Sequence, residues 1–206
     1  LQANICFWLF DEDFMSKVSF RLKSLDVEDV ILRKHSTSLE NLCAFIKLHE
    51  PSLELLKCEN PAILRHVADF TSLTTLQLTK GLERDCADNF CILPHIQSLS
   101  FIANDQAVNL ERIAINFPNL KELSVVLWHN EHFKAIESFS KVEKLTLRFN
   151  LFVEMTTVIK MPNLQRLHLI TSAFNMNPIA FDGTKLEELI MENDSRRKPK
   201  WLIAFL

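Results

Sequence analysis

The chain has 206 residues, 48% of them hydrophobic and 24% charged, with a formal net charge of -3. That balance lacks the basic excess of a nucleic-acid-binding protein, and no apolar run is long enough to cross a membrane as a helix. Two glycines and seven prolines leave no flexible linker or low-complexity tail and almost no glycine-rich backbone to cradle phosphate.

In chain order, residues 1–20 open on an apolar cluster, Cys6 to Phe10, too short and without the basic flank of a secretion signal. They are expected to form a partial repeat or a cap. The chain begins at Leu1 and not at methionine, so residues 1–206 are expected to be one domain and a fragment of a longer protein. Leu22, Leu25 and Val27 then begin a spacing, L-x-x-L-x-L, that recurs along the chain. Ser38 to Leu48 has helical periodicity, with Leu39, Leu42, Phe45 and Ile46 on one face. The phrase returns at Leu53/Leu56/Cys58, Leu73/Leu76/Leu78 and Ile96/Leu99/Phe101. It is clearest in FPNLKELSV, FSKVEKLTL and MPNLQRLHL, whose first apolar positions Leu120, Val142 and Leu164 stand 22 residues apart both times. Leu186/Leu189/Met191 closes the series of eight expected strands. The last two apolar positions of each phrase alternate as a half-buried strand does.

Phe70, Leu93, Phe117, Phe139 and Met161 each stand three residues before a phrase, and Pro51, Pro94, Pro118 and Pro162 take the next place in their units. Proline removes a backbone donor and disfavours helix before it, which ends the returning segment. The returns Leu82–Phe90, Val108–Asn116, His132–Ser138 and Val153–Lys160 have room for about two helical turns each. Trp201 to Leu206, after the basic Ser195–Lys200 loop, is expected to start another. A fixed period of this size points to a solenoid, since one strand-and-return unit cannot close its apolar side alone.

These phrases resemble leucine-rich repeats, whose usual form is L-x-x-L-x-L-x-x-N/C. The resemblance implies an α/β solenoid with a curved parallel sheet on the concave face and short helices on the convex face. The unit length and the PNL before the strand are similar to the repeat domains of F-box proteins, as is the passage from Leu39 to Leu56. That likeness implies a noncatalytic protein-protein recognition module, the substrate-recruiting part of a ubiquitin ligase. Its adaptor contact would lie in an N-terminal F-box that this chain does not contain. The alternative is a structural repeat region appended to an enzyme or signalling domain outside the chain.

The x positions of the phrases are expected to line the concave face, where a protein partner would bind. Lys144, Arg148 and Arg166, with His168 among them, form a basic patch beside Glu188 and Glu192. Ile102, Val126, Phe149 and Ile170 form an apolar row along one edge. These eight residues are the candidate protein-binding site. The alternative is that the apolar side chains tuck under the loops and that the acidic neighbours neutralise the patch.

Nothing in the sequence points to catalysis, a cofactor or a metal, and the chain is expected not to be an enzyme. His129 and His132 lack the spacing and added glutamate of a zinc-protease helix. Cys86, Cys91 and His95 are only loosely spaced, and Cys91 falls in an apolar run where cysteine serves as a small hydrophobe. Five cysteines, odd in number and scattered, suit a reducing cytoplasmic or nuclear location.

Overall fold

The computed structural model describes residues 2–4, 17, 19–27, 36–82, 90–129, 131–149, 157–171, 179–182, 185–193 and 203–205. With strands numbered in chain order, β1 (Gln2–Asn4) precedes the eight phrases. The phrases form β2 (Ser24–Val27), β3 (Leu55–Cys58), β4 (Thr75–Leu82), β5 (Ser98–Ala103), β6 (Glu122–Leu127), β7 (Lys144–Phe149), β9 (Arg166–Thr171) and β11 (Glu188–Asn193). All nine pair in parallel as one sheet in sequence order.

Alternation drives this pairing. In β5 and β6 every second side chain is buried and the intervening ones are half-buried. Equal phrases put equal positions in register, so Leu99 pairs with Leu123, Leu123 with Leu145 and Leu145 with Leu167. The result is a continuous leucine row inside the protein, with each of these side chains at most 2% exposed. Burying a leucine of this kind contributes about 1.5–3 kcal/mol. The row weakens at β11, where Leu189 is 38% exposed because β11 pairs with β9 alone among the described strands.

One irregularity interrupts the register. Gln77 pairs with Ser100, but the next pairing is Gly81 with Ile102, so β4 bulges between them. At Gly81 the Asn104 side chain lies in the place a Cβ would take, so a larger residue there would have to displace that side chain.

The returns differ from one another. Helix α1 (Ser36–Leu48) buries Leu42, Phe45 and Ile46. A 3₁₀ segment, Pro61–His66, starts at Asn60, whose side chain accepts from the Ala62 amide at 2.9 Å. Helix α2 (Leu110–Asn116) is capped by Asn109, which accepts from the Arg112 amide at 2.8 Å. The short α3 (His132–Ala135) runs into a 3₁₀ turn, Ile136–Ser138. At the entry to the strands, side chains of one unit tie to the backbone of the one before. Ser72 donates to the Pro51 carbonyl at 3.1 Å, Asn119 to Pro94 at 2.9 Å and Asn163 to Ser140 at 2.9 Å.

Two expected returns are not helices. Val153–Lys160 contains β8 (Thr157–Lys160), and the terminal segment contains β12 (Ile203–Phe205). With β10 (Ile179–Asp182) they form a second, three-stranded parallel sheet ordered β12-β10-β8. Ile159 and Phe181 are fully buried in that layer. The helix expected over Leu82–Phe90 lies almost wholly outside the described residues, as do most of residues 1–20 and the basic Ser195–Lys200 loop.

The curved leucine-rich-repeat solenoid is therefore overturned. The described residues form an open, uncurled parallel sheet flanked by dispersed helices. The physical reason lies in the returns. Curling needs a layer wider than the roughly 4.8 Å strand spacing, which a complete row of helices at about 8–10 Å would supply. Here helices are scattered, and in the last third both layers are strands with the same spacing.

Candidate binding face of the sheet

The side chains between the buried leucines make the exposed face of the nine-stranded sheet. One row runs Asp26, Lys57, Gln77, Ser100, Ser124, Thr146 and His168, each in register with the next. A second row runs Thr75, Ser98, Glu122, Lys144, Arg166 and Glu188. Parallel pairing of equal phrases places these groups side by side, and the charges use it. Lys57 contacts Asp26 at 3.2 Å, Lys144 pairs with Glu122, Arg166 lies 3.4 Å from Glu188 and His168 3.2 Å from Glu192.

Small side chains in the middle leave a shallow cleft of about 270 Å³ across β4 to β7. Gln77, Ser98, Ser100, Ser124 and Thr146 line it, with the Glu122–Lys144 pair at one side. A second cleft of about 450 Å³ opens at the strand entries, among Gln97, Asn119, Lys121, Lys141, Glu143 and Asn163.

The eight sequence-derived site residues divide. Ile102 and Val126 are half-buried register neighbours on the face. Arg148, exposed, follows Val126 in the register and interrupts the apolar row. Phe149 is 0% exposed and packs edge-on against Phe133, ring centroids 5.2 Å apart, while Ile170 is 8% exposed. The contiguous apolar strip is thus corrected. Phe149 has the same strand parity as the buried Leu145 and Leu147, so the pleat turns it inward. Acidic neighbours stand beside three members of the basic patch. Lys144 is half-buried with Glu122, Arg166 is exposed beside Glu188, and His168 is half-buried near Glu192. Glu122 and Gln77, outside the sequence-derived set, also line the cleft. The signal for Glu122 was its place one repeat before Lys144.

Burial acts on the three described cysteines. It pushes the Cys58 thiol up to about 12 and, with the charge of Glu40, Cys43 to about 11. Cys91 is raised for the same main reason, and its thiol donates to the Leu64 carbonyl at 3.2 Å. All three stay protonated near neutral pH, when a nucleophile needs thiolate. Among the described residues, no three histidine, cysteine or acidic side chains converge to hold a metal ion.

The open sheet offers no curved concave face on which the expected protein partner would sit. The recruiting module, and the ubiquitin-ligase adaptor inferred with it, lose the geometry on which they rested. No family model matches the chain, and no curated protein or solved structure is similar enough to it to match.

Proposed function

We propose that the chain is a binding domain without catalytic chemistry of its own, and that the cleft across β4 to β7 takes a neutral, hydroxyl-rich ligand such as a short saccharide. The observation that carries this reading is the lining. Hydroxyls and one amide face the cleft, and its single cation and anion, Lys144 and Glu122, are paired with each other. Such a surface exerts little net field on an anion or a cation. It offers donors and acceptors in both directions, as a polyol requires. The free, buried thiols Cys43 and Cys58 support a cytoplasmic or nuclear home, where reducing conditions keep them so.

Calorimetry with a panel of neutral glucans and other soluble oligosaccharides, beside charged analogues, tests the reading. A neutral saccharide is expected to bind, and Ser124→Leu, which fills the cleft floor, to weaken it by about tenfold or more, or about 1.4 kcal/mol. Thermal melting of that variant should stay near the parent. Binding of charged analogues alone, or equal affinity in the variant, would contradict it.

A further inference from the structure

A cluster away from the sheet face involves the turn between β5 and α2. Its residues fold back on themselves: the Ala107 amide donates to the Asp105 carboxylate at 2.8 Å and the Val108 amide to the Asp105 carbonyl at 3.0 Å. The next unit braces it. His129 Nε2 donates to the Asn104 carbonyl at 3.1 Å, and the Gln106 side chain donates to Glu131 at 2.9 Å. The His132 ring stands edge-on to His129, centroids 5.8 Å apart. His132 is 3% exposed, its ring against the backbone of Gln106 and Val108 in the turn.

We propose that the His129–His132 pair is an acid-sensitive latch: protonation of His132 loosens the turn at residues 104–109 while the sheet stays folded. A second proton on so buried a ring places a poorly solvated charge beside another imidazole. The backbone of Gln106 and Val108 lies against the ring, so the cost falls on the turn. The charged and titratable groups that act on the ring are His129 and Glu131, and Lys134 on α3 is paired with Glu137 at 2.6 Å. The influences that reach the ring are burial first, then His129, both lowering its proton affinity. Glu131 and the backbone of Gln106 and Val108 oppose them without prevailing.

The sign follows. His132 binds its proton more weakly when the latch is closed than when it is open. The open form therefore carries more protons on the acid side, and stability present above the ordinary histidine value is lost as pH falls below it. His49 and His95 are lowered by burial too, so the response must be read locally.

Amide hydrogen exchange of the full chain at about pH 7.5 and about pH 5.5, corrected for intrinsic rates, reads it. Opening at residues 105–109 is expected to rise by up to about tenfold per pH unit, with β6 and β7 unchanged. His132→Phe should flatten that response, and His129→Gln, which keeps a donor for Asn104, should retain most of it. A turn and β6 that open together, or a full response in His132→Phe, would overturn the latch. Should His132→Phe fail to fold, an imidazole titration of the parent by NMR decides. A His132 midpoint below the ordinary value that coincides with turn opening supports the latch, and one at or above it refutes the proposal.

Discussion

At the scale of single residues, the strand pleat separates side chains that hold the fold from those free to act. Phe149 and Lys144 belong to one strand and face opposite ways. Phe149→Ala removes a fully buried ring packed on Phe133, and is expected to cost about 3–5 kcal/mol in denaturant unfolding. Lys144→Ala breaks a half-exposed ion pair with Glu122 and is expected to cost no more than about 1 kcal/mol. Similar losses in the two variants would mean that the parity of β7 is wrong. The leucine positions themselves were legible in the sequence, because Leu123, Leu145 and Leu167 repeat at one interval and lie in one buried row. Phe149 falls outside the row expected with Ile102, Val126 and Ile170, because two-residue steps from Leu145 through Leu147 turn it into the core. The ion pairs were half legible. The cations stand out as a patch in the sequence, while the pairing of Lys144 with Glu122 one unit earlier follows only from the register.

At the scale of elements, the short segments before the strands explain the recurrence of PNL. The proline ends the return, the leucine enters the core, and the asparagine reaches back to the preceding unit. Asn119 and Asn163 each hold a backbone carbonyl at 2.9 Å, and Ser72 does the same in a unit without asparagine. Asn119→Ala should cost about 1 kcal/mol, the net worth of one such hydrogen bond, and Asn119→Ser should recover part of it. Chemical denaturation of the two variants checks this; a loss equally large in both would mean that the side chain's packing matters and not its donor. The returns were less legible. Thr157-Val158-Ile159 is a β-branched run, which favours a strand. Its length alone leaves room for about two helical turns and does not separate helix from strand. The cleft was not legible, because it arises from the small size of Ser98, Ser100 and Ser124 brought together by register across two adjacent units.

At the scale of the whole molecule, the nature of the return layer decides the shape. A complete helical layer would spread one side and curl the sheet, whereas strands opposite strands have no such mismatch. The second sheet, β8, β10 and β12, is therefore the feature that separates an open parallel sheet from the expected horseshoe. It also decides whether the face containing the cleft is an open platform or the inside of a curve. Backbone chemical shifts and interstrand proton contacts from NMR test this most directly. Residues 157–160, 179–182 and 203–205 are predicted to show extended shifts, with contacts between Val158 and Ala180 and between Ala180 and Ala204 in the parallel register. Helical shifts through 157–160 and 203–205, with no contacts between these segments, would contradict the account.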